Sequence, residues 1–160
     1  MRNLVGMLPW AVLLIAAGAG ICWLLSKDIA AGKWLLAALI IGHGFIHVMF
    51  LVPAPPVAAS GPQWPFHIAQ SWPVTAAGLN LGLVRVVGAA LIAVALVAFA
   101  AAALSTAGIV VPAGWWPGSA GVGAVASAIV LIAFFDPQLI LGLGIDATLL
   151  SVVVARAWAP

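Results

Sequence analysis

Five long apolar runs, separated by short polar or proline-rich breaks, leave this chain few ways to fold. A helix crosses a bilayer with roughly 20 mostly apolar residues, each advancing it by about 1.5 Å. The runs cover about residues 4–25, 34–52, 79–104, 118–135 and 137–158. Their boundaries are Ser26-Lys27-Asp28, then Lys33, the prolines at 53, 55 and 56, Ser105-Thr106-Ala107-Gly108, and Asp136-Pro137. Composition argues against a soluble fold. Charged residues make up 5% of the chain and hydrophobic ones 66%, where a soluble domain carries about 25% charge to cover its surface. The expected fold is all-α, a single transmembrane domain over 1–160: a polytopic membrane bundle of five helices, with four as the alternative.

The choice between five and four turns on the join between the last two runs. Asp136 has the side chain of a helix N-cap, and Pro137 suits a first helical position, where its missing N–H is not needed. The same proline would break one continuous helix. A tight turn between two antiparallel spans therefore fits better than a single long helix, with a kinked pair as the four-span alternative. At the other end of the chain, Ala17-Gly18-Ala19 has the small-x-small form of a signal cleavage site. The run continues through Trp23 to Leu25, and cleavage would strand Lys27 and Lys33 outside, so it is read as a retained span.

Five spans put the ends of the chain on opposite faces. One face carries Lys27, Lys33 and Arg156 against Asp28; the other carries Arg2, Asp136 and the 53–78 loop, which has no Lys or Arg. The positive-inside rule then places the N-terminus outside and the C-terminus in the cytoplasm. A cell (plasma) membrane is the expected location, with the Ala- and Gly-rich composition suggesting a bacterial one. Five dispersed cations form no basic patch, which argues against nucleic acid as a partner. The expected partners are the lipid bilayer, other membrane subunits, or a hydrophobic small molecule.

Small residues recur at helical spacing: Gly78 with Gly82, Gly123 with Ser127, and Ala120, Ala124 and Ala128. Such faces let helix backbones approach closely in lipid. The outer loop 53–78 is rich in proline, and Pro65 could open a short interfacial helix through Trp72, with Ile68, Ala69 and Trp72 on its apolar side.

Ionisable groups at bilayer depth are costly unless paired or hydrated. His43 and Asp146 each lie nine residues from the outer end of their runs, roughly 14 Å deep, near the midplane. His47 and Arg85 share a shallower level, roughly 8–9 Å deep. His43 and His47 are four residues apart and project from one helical face. A polar pocket formed by His43, His47, Arg85 and Asp146 is therefore expected. Imidazoles bind metals or haem iron and relay protons near neutral pH. A metal or haem through His43 and His47 is one expectation, with His67 in the outer loop as a third metal ligand. The bland alternative is that these residues only tie helices together. The Gly-x-Ser-Gly nucleophile motif of rhomboid-type proteases is missing. Gly142-Leu143-Gly144-Ile145-Asp146 is one residue too long for the Gly-x-Gly-Asp motif of intramembrane aspartyl proteases. In size and span number the chain looks like the tryptophan-rich translocator-protein family. That family's aromatic and proline motifs do not align with it, so no residue roles carry over.

The leading functional expectation is a ligand- or cofactor-binding membrane protein, or an accessory subunit of a membrane complex. Proton or metal-ion transport along His67, His47, His43 and Asp146 is the second. A membrane enzyme with a histidine base ranks below both, because the chain offers no nucleophile beside it.

Overall fold

The computed structural model describes residues 2–55 and 64–156, with side chains from Leu8 onward. Its elements are α1 (Arg2–Ser26), α2 (Ala30–Ile46), α3 (Trp72–Thr75), α4 (Leu81–Ala107), α5 (Trp116–Ala133) and α6 (Ile140–Ala155). A 3₁₀ segment, His47–Leu51, continues α2; two more, Ala113–Trp115 and Pro137–Leu139, lead into α5 and α6. Among the described residues all regular structure is helical. Five segments are long and apolar enough to cross a membrane: Leu8–Ser26, Ala30–Leu51, Leu81–Ala107, Ala113–Ala133 and Pro137–Ala155. They coincide with the five apolar runs. The second starts four residues earlier than expected, because the turn before it needs only Lys27, Asp28 and Ile29, with Asp28 in the left-handed region at φ 51°. Lys33 thus sits in the first turn of α2 rather than before it. The expected continuation of the fifth run to Trp158, and residues 56–63 of the loop, lie outside the described residues.

Local chemistry sets the ends of the helices. Asn80 caps α4, accepting a bond from the Leu83 N–H at 3.2 Å. Gly108 closes the same helix at φ 70°, a conformation that glycine adopts without the steric penalty of a side chain. Asp136 caps the segment into α6: its carboxylate accepts from the Gln138 N–H at 2.8 Å, with Pro137 at the first position. The tight turn expected between the last two spans is therefore present, and α5 packs against α6. The short loop helix is displaced from its expected place. It runs over Trp72–Thr75, not from Pro65, because Ser71 turns the chain through a bond to the Ile68 carbonyl and starts the helix itself. Trp72 then donates its indole N–H to the carbonyl of Ile132 at 2.9 Å. That bond satisfies a carbonyl in the last turn of α5, which has no partner within the helix, and fastens the loop to the end of the bundle where α5 turns into α6.

The core is organised by α4, which packs most extensively on α5 and α2. Val84, Gly88, Ile92, Ala95, Phe99 and Ala102 form its buried stripe. Phe99 is completely enclosed because glycines flank it on both neighbours. A Cβ on Gly44 of α2 would come within 3.1 Å of the Phe99 side chain, and one on Gly123 of α5 within 2.7 Å. Ala120, Ala124 and Ser127 continue the buried face of α5. The Gly123/Ser127 face thus does what the small-residue spacing suggested. The Gly78/Gly82 pair does not. Gly78 lies before α4 at φ 67°, and Gly82 is exposed, its nearest foreign atom the Asn80 cap oxygen at 3.0 Å. Around this core the outward faces are apolar, with Val86, Val97, Val122, Ile132 and Val154 all exposed. The first helix is the most peripheral, with 6% of its candidate span buried.

Candidate functional site

Four polar side chains from α2, its 3₁₀ extension, α5 and α6 meet inside the bundle. They are His43 at 7% exposure, His47 at 0%, Ser127 at 0% and Asp146 at 1%. The matched depth of His43 and Asp146 becomes a contact: His43 Nε2 and Asp146 Oδ1 are 2.9 Å apart. Ser127 stands at the centre. Its hydroxyl oxygen is 2.6 Å from Asp146 Oδ2, 2.8 Å from His47 Nε2 and a longer 3.3 Å from His43 Nε2. The two imidazole rings are perpendicular, with centroids 5.3 Å apart, and Phe99 closes against His43 at the same centroid distance.

The backbone prepares this arrangement. At His47 the helix tightens from α to 3₁₀, and the His47 N–H bonds to the Gly44 and Phe45 carbonyls. The carbonyl of His43, one turn back, is thereby left for the His47 ring, whose Nδ1 lies 3.0 Å from it. A carbonyl can only accept, so Nδ1 carries a hydrogen and the other ring nitrogen faces Ser127 in a fixed orientation. A 3₁₀ segment is common at the C-terminal end of an α-helix, and here it has this local consequence. On α6, Gly142 leaves room for the His43 ring: a Cβ there would sit 3.5 Å from His43 Cε1 and 2.9 Å from Leu131.

Of the four residues expected to form a polar pocket, three come together and one does not. Arg85 is exposed, and no hydrogen bond or ion pair joins it to the cluster among the described residues. It stands 14 residues before Phe99, the α4 residue that packs on His43, which puts it roughly 21 Å along the helix from the cluster. Depth counted from the outer ends of the runs placed it at the wrong level, because α4 runs 18 residues outward from Phe99 to Leu81 while the second span runs only 8 from His43 to Leu51. His67 lies half-buried in the loop and is not joined to His43 and His47; no group of three metal-ligating side chains is assembled among the described residues. Ser127 was missed as a functional residue because it reads as one more small side chain in an alanine–glycine stripe. The signal that could have found it is its position, nine residues before Asp136, as Asp146 is nine after Pro137.

The cluster is compact and buried. Both Nε2 atoms, the His47 Nδ1 and both Asp146 oxygens are engaged within it or with the backbone, so a metal or haem iron bound through those atoms would displace existing bonds. An apolar groove on the α4–α5 surface, lined by Ala93, Val94, Val97, Trp115, Gly118 and Val122, is separate, and no cluster residue lines it. Among the described residues, the contact between His43 and Asp146 is the sole one within ion-pair range. No lysine or arginine balances the Asp146 carboxylate, so a countercharge inside the cluster can come only from an imidazole.

No protein-family model matches the chain, and neither a curated protein nor a solved structure is significantly similar to it.

Proposed function

We propose that this chain is an integral membrane protein that transfers protons through the buried cluster of His43, His47, Ser127 and Asp146. Its five apolar helices cross a bacterial plasma membrane with the N-terminus outside and the C-terminus in the cytoplasm. Apolar outward faces all around the bundle support insertion, as do Trp23, Trp34 and Trp115 near one end and Trp72 near the other, all exposed. Lys27, Lys33 and Arg156 at the end opposite the loop support the orientation.

One observation carries the choice of proton transfer. Two imidazoles, a hydroxyl and a carboxylate are bonded in series inside an otherwise apolar core. Groups of this kind exchange protons among themselves without rearranging the fold, and ionisable side chains at membrane depth mark such relays. The protein would act alone or as the proton-handling subunit of a larger membrane complex. Purified protein in liposomes loaded with a pH-sensitive dye tests this: an imposed potential should drive proton uptake in the wild type and not in Asp146→Asn. Equal flux in the two would sink the reading.

A second reading rests on the apolar groove between α4 and α5, which suits a lipid-soluble molecule. It would be supported by a lipid-like compound that co-purifies with the wild type and is lost in Val97→Trp, a substitution that fills the groove.

A further inference from the structure

We infer that the cluster is a binding site for one exchangeable proton, held between His47 and Asp146 by way of Ser127. The inference follows from counting hydrogens. The short contacts of the network form a chain of four bonds: His43 carbonyl to His47 Nδ1, His47 Nε2 to Ser127 Oγ, Ser127 Oγ to Asp146 Oδ2, and Asp146 Oδ1 to His43 Nε2, with the longer 3.3 Å approach of Ser127 Oγ to His43 Nε2 beside them. Each bond needs one hydrogen between its heavy atoms. With an ionised aspartate and two neutral imidazoles, the side chains supply only three: one from each ring and one from the serine hydroxyl. The chain of bonds is complete only when a fourth proton is present.

Direction fixes where that proton can sit. The bond to the His43 carbonyl commits the Nδ1 hydrogen of His47. Ser127 has one hydrogen and two close neighbours, so it donates to one and accepts from the other. If it donates to Asp146, His47 must donate from Nε2 as well and is an imidazolium facing a carboxylate. If it donates to His47, Asp146 must donate from Oδ2 and is a neutral acid facing a neutral ring. His43 donates from Nε2 to Asp146 Oδ1 in both cases. With four protons no other arrangement completes all four bonds.

The two arrangements interconvert by one balanced step. The N–H bond at His47 Nε2 breaks as an O–H bond forms at Ser127, while the original Ser127 O–H bond breaks as a new one forms at Asp146 Oδ2. Protons move with no change in total charge, which is zero in both states. Electrostatics demands the same total independently, because an unbalanced charge in this core would cost several kcal/mol. The surroundings supply nothing that could balance it otherwise: α4 presents Phe99 to the cluster, and Arg85 is exposed 14 residues, roughly 21 Å, further along that helix. His43 and His47 from α2 and its extension, Ser127 from α5 and Asp146 from α6 are the polar groups that face one another.

The site is the one proposed above for proton transfer, but the proton count rests on the bonds alone, so the two ideas fail separately. Absence of flux in liposomes would remove the transfer function and leave the bound proton standing. The test is spectroscopic, on the full chain in phosphatidylcholine nanodiscs, with ¹³C-carboxyl aspartate and ¹⁵N-histidine labels followed through an alkaline titration. His47 and Asp146 should respond at one common midpoint, with one proton released per chain, and Asp146→Asn should abolish that release. In Ser127→Ala the remaining signals should titrate apart, and Ser127→Thr, which keeps the hydroxyl, should restore the common midpoint. An ionised Asp146 beside two neutral imidazoles before alkali is added would overturn the inference, as would separate midpoints in the wild type. The wild-type spectra decide the matter even if the alanine variant does not fold.

Discussion

Ser127 Oγ and Asp146 Oδ2 lie 2.6 Å apart, although they stand on different helices. The Asp136-Pro137 joint explains how. A tight turn between antiparallel helices pairs residues at equal distances from it, and these two stand nine residues to either side. The same turn that ends α5 therefore also sets the register of the cluster, and a cap at the edge of the bundle is coupled to a polar contact in its middle.

Removing Ser127 leaves two buried groups without their partner, Asp146 Oδ2 and His47 Nε2. Ser127→Ala is expected to lower stability by about 1–3 kcal/mol, the usual cost of stranding a buried polar group. Asp146→Ala should cost more than Asp146→Asn, because the amide still offers an oxygen to Ser127 or His43. Unfolding by denaturant titration in a fixed detergent, read by circular dichroism, would show that order. Equal loss for alanine and asparagine would mean that the contacts to Asp146 contribute little.

The glycine contacts of Phe99 give a sharper packing test. A Cβ at Gly123 would lie 2.7 Å from the Phe99 ring, and Gly44 prevents the ring from moving the other way. Gly123→Ala should therefore destabilise by about 1–3 kcal/mol through overpacking, offset by up to about 1 kcal/mol of gained helix propensity. Gly144→Ala on α6 meets nothing within 4 Å and should be neutral or mildly stabilising. A comparison of the two thermal midpoints separates packing from propensity, and a similar response in both would contradict the geometry.

Asp136→Ala removes the cap that begins the last span. It is expected to cost about 0.5–2 kcal/mol, and the effect should reach the cluster through the register of α6. Ring signals of His43 and His47 should shift in this variant, whereas a cap substitution at the start of α4, Asn80→Ala, should leave them in place. Unchanged histidine signals in Asp136→Ala would show that the cluster does not depend on the turn.

How much of this was legible in the sequence follows from what each signal measures. Hydropathy reports length and polarity, and it located five helices because the breaks between them are made by strong local chemistry, Asp28, Gly108 and Asp136-Pro137 above all. Counting residues from a boundary gives depth, and depth paired His43 with Asp146 correctly. Depth counted from a boundary compares two helices only where they end at the same level, and α4 runs 18 residues outward from Phe99 while the second span runs 8 from His43 to Leu51, which is why Arg85 was placed at the cluster and lies outside it. Ser127 escaped for a different reason: among alanines and glycines a hydroxyl looks like another small side chain until the turn register is used. The loop helix was misplaced because Pro65 and Ser71-Trp72-Pro73 both offer a start, and the choice depends on the Trp72 bond to α5, a tertiary contact.

The membrane orientation makes the last prediction, and charge sets its direction. Ser26 and Ala155 are exposed next to Lys27 and Arg156, while Ala77 is exposed near the end of the loop. Cysteines at these three positions leave every charged residue in place, and Cys22→Ser removes the native thiol, which is itself exposed. In intact cells a membrane-impermeant maleimide should label Ala77→Cys at once, and Ser26→Cys and Ala155→Cys only after permeabilisation. Replacing Lys27 and Lys33 together by glutamine should weaken that asymmetry, since short basic loops set the topology. Labelling of Ser26 and Ala77 from the same side would rule out the five-span arrangement. The reverse pattern, with Ser26 and Ala155 labelled first, would keep the five spans and invert the orientation, which would place His47 on the cytoplasmic side of Asp146 in the proton path.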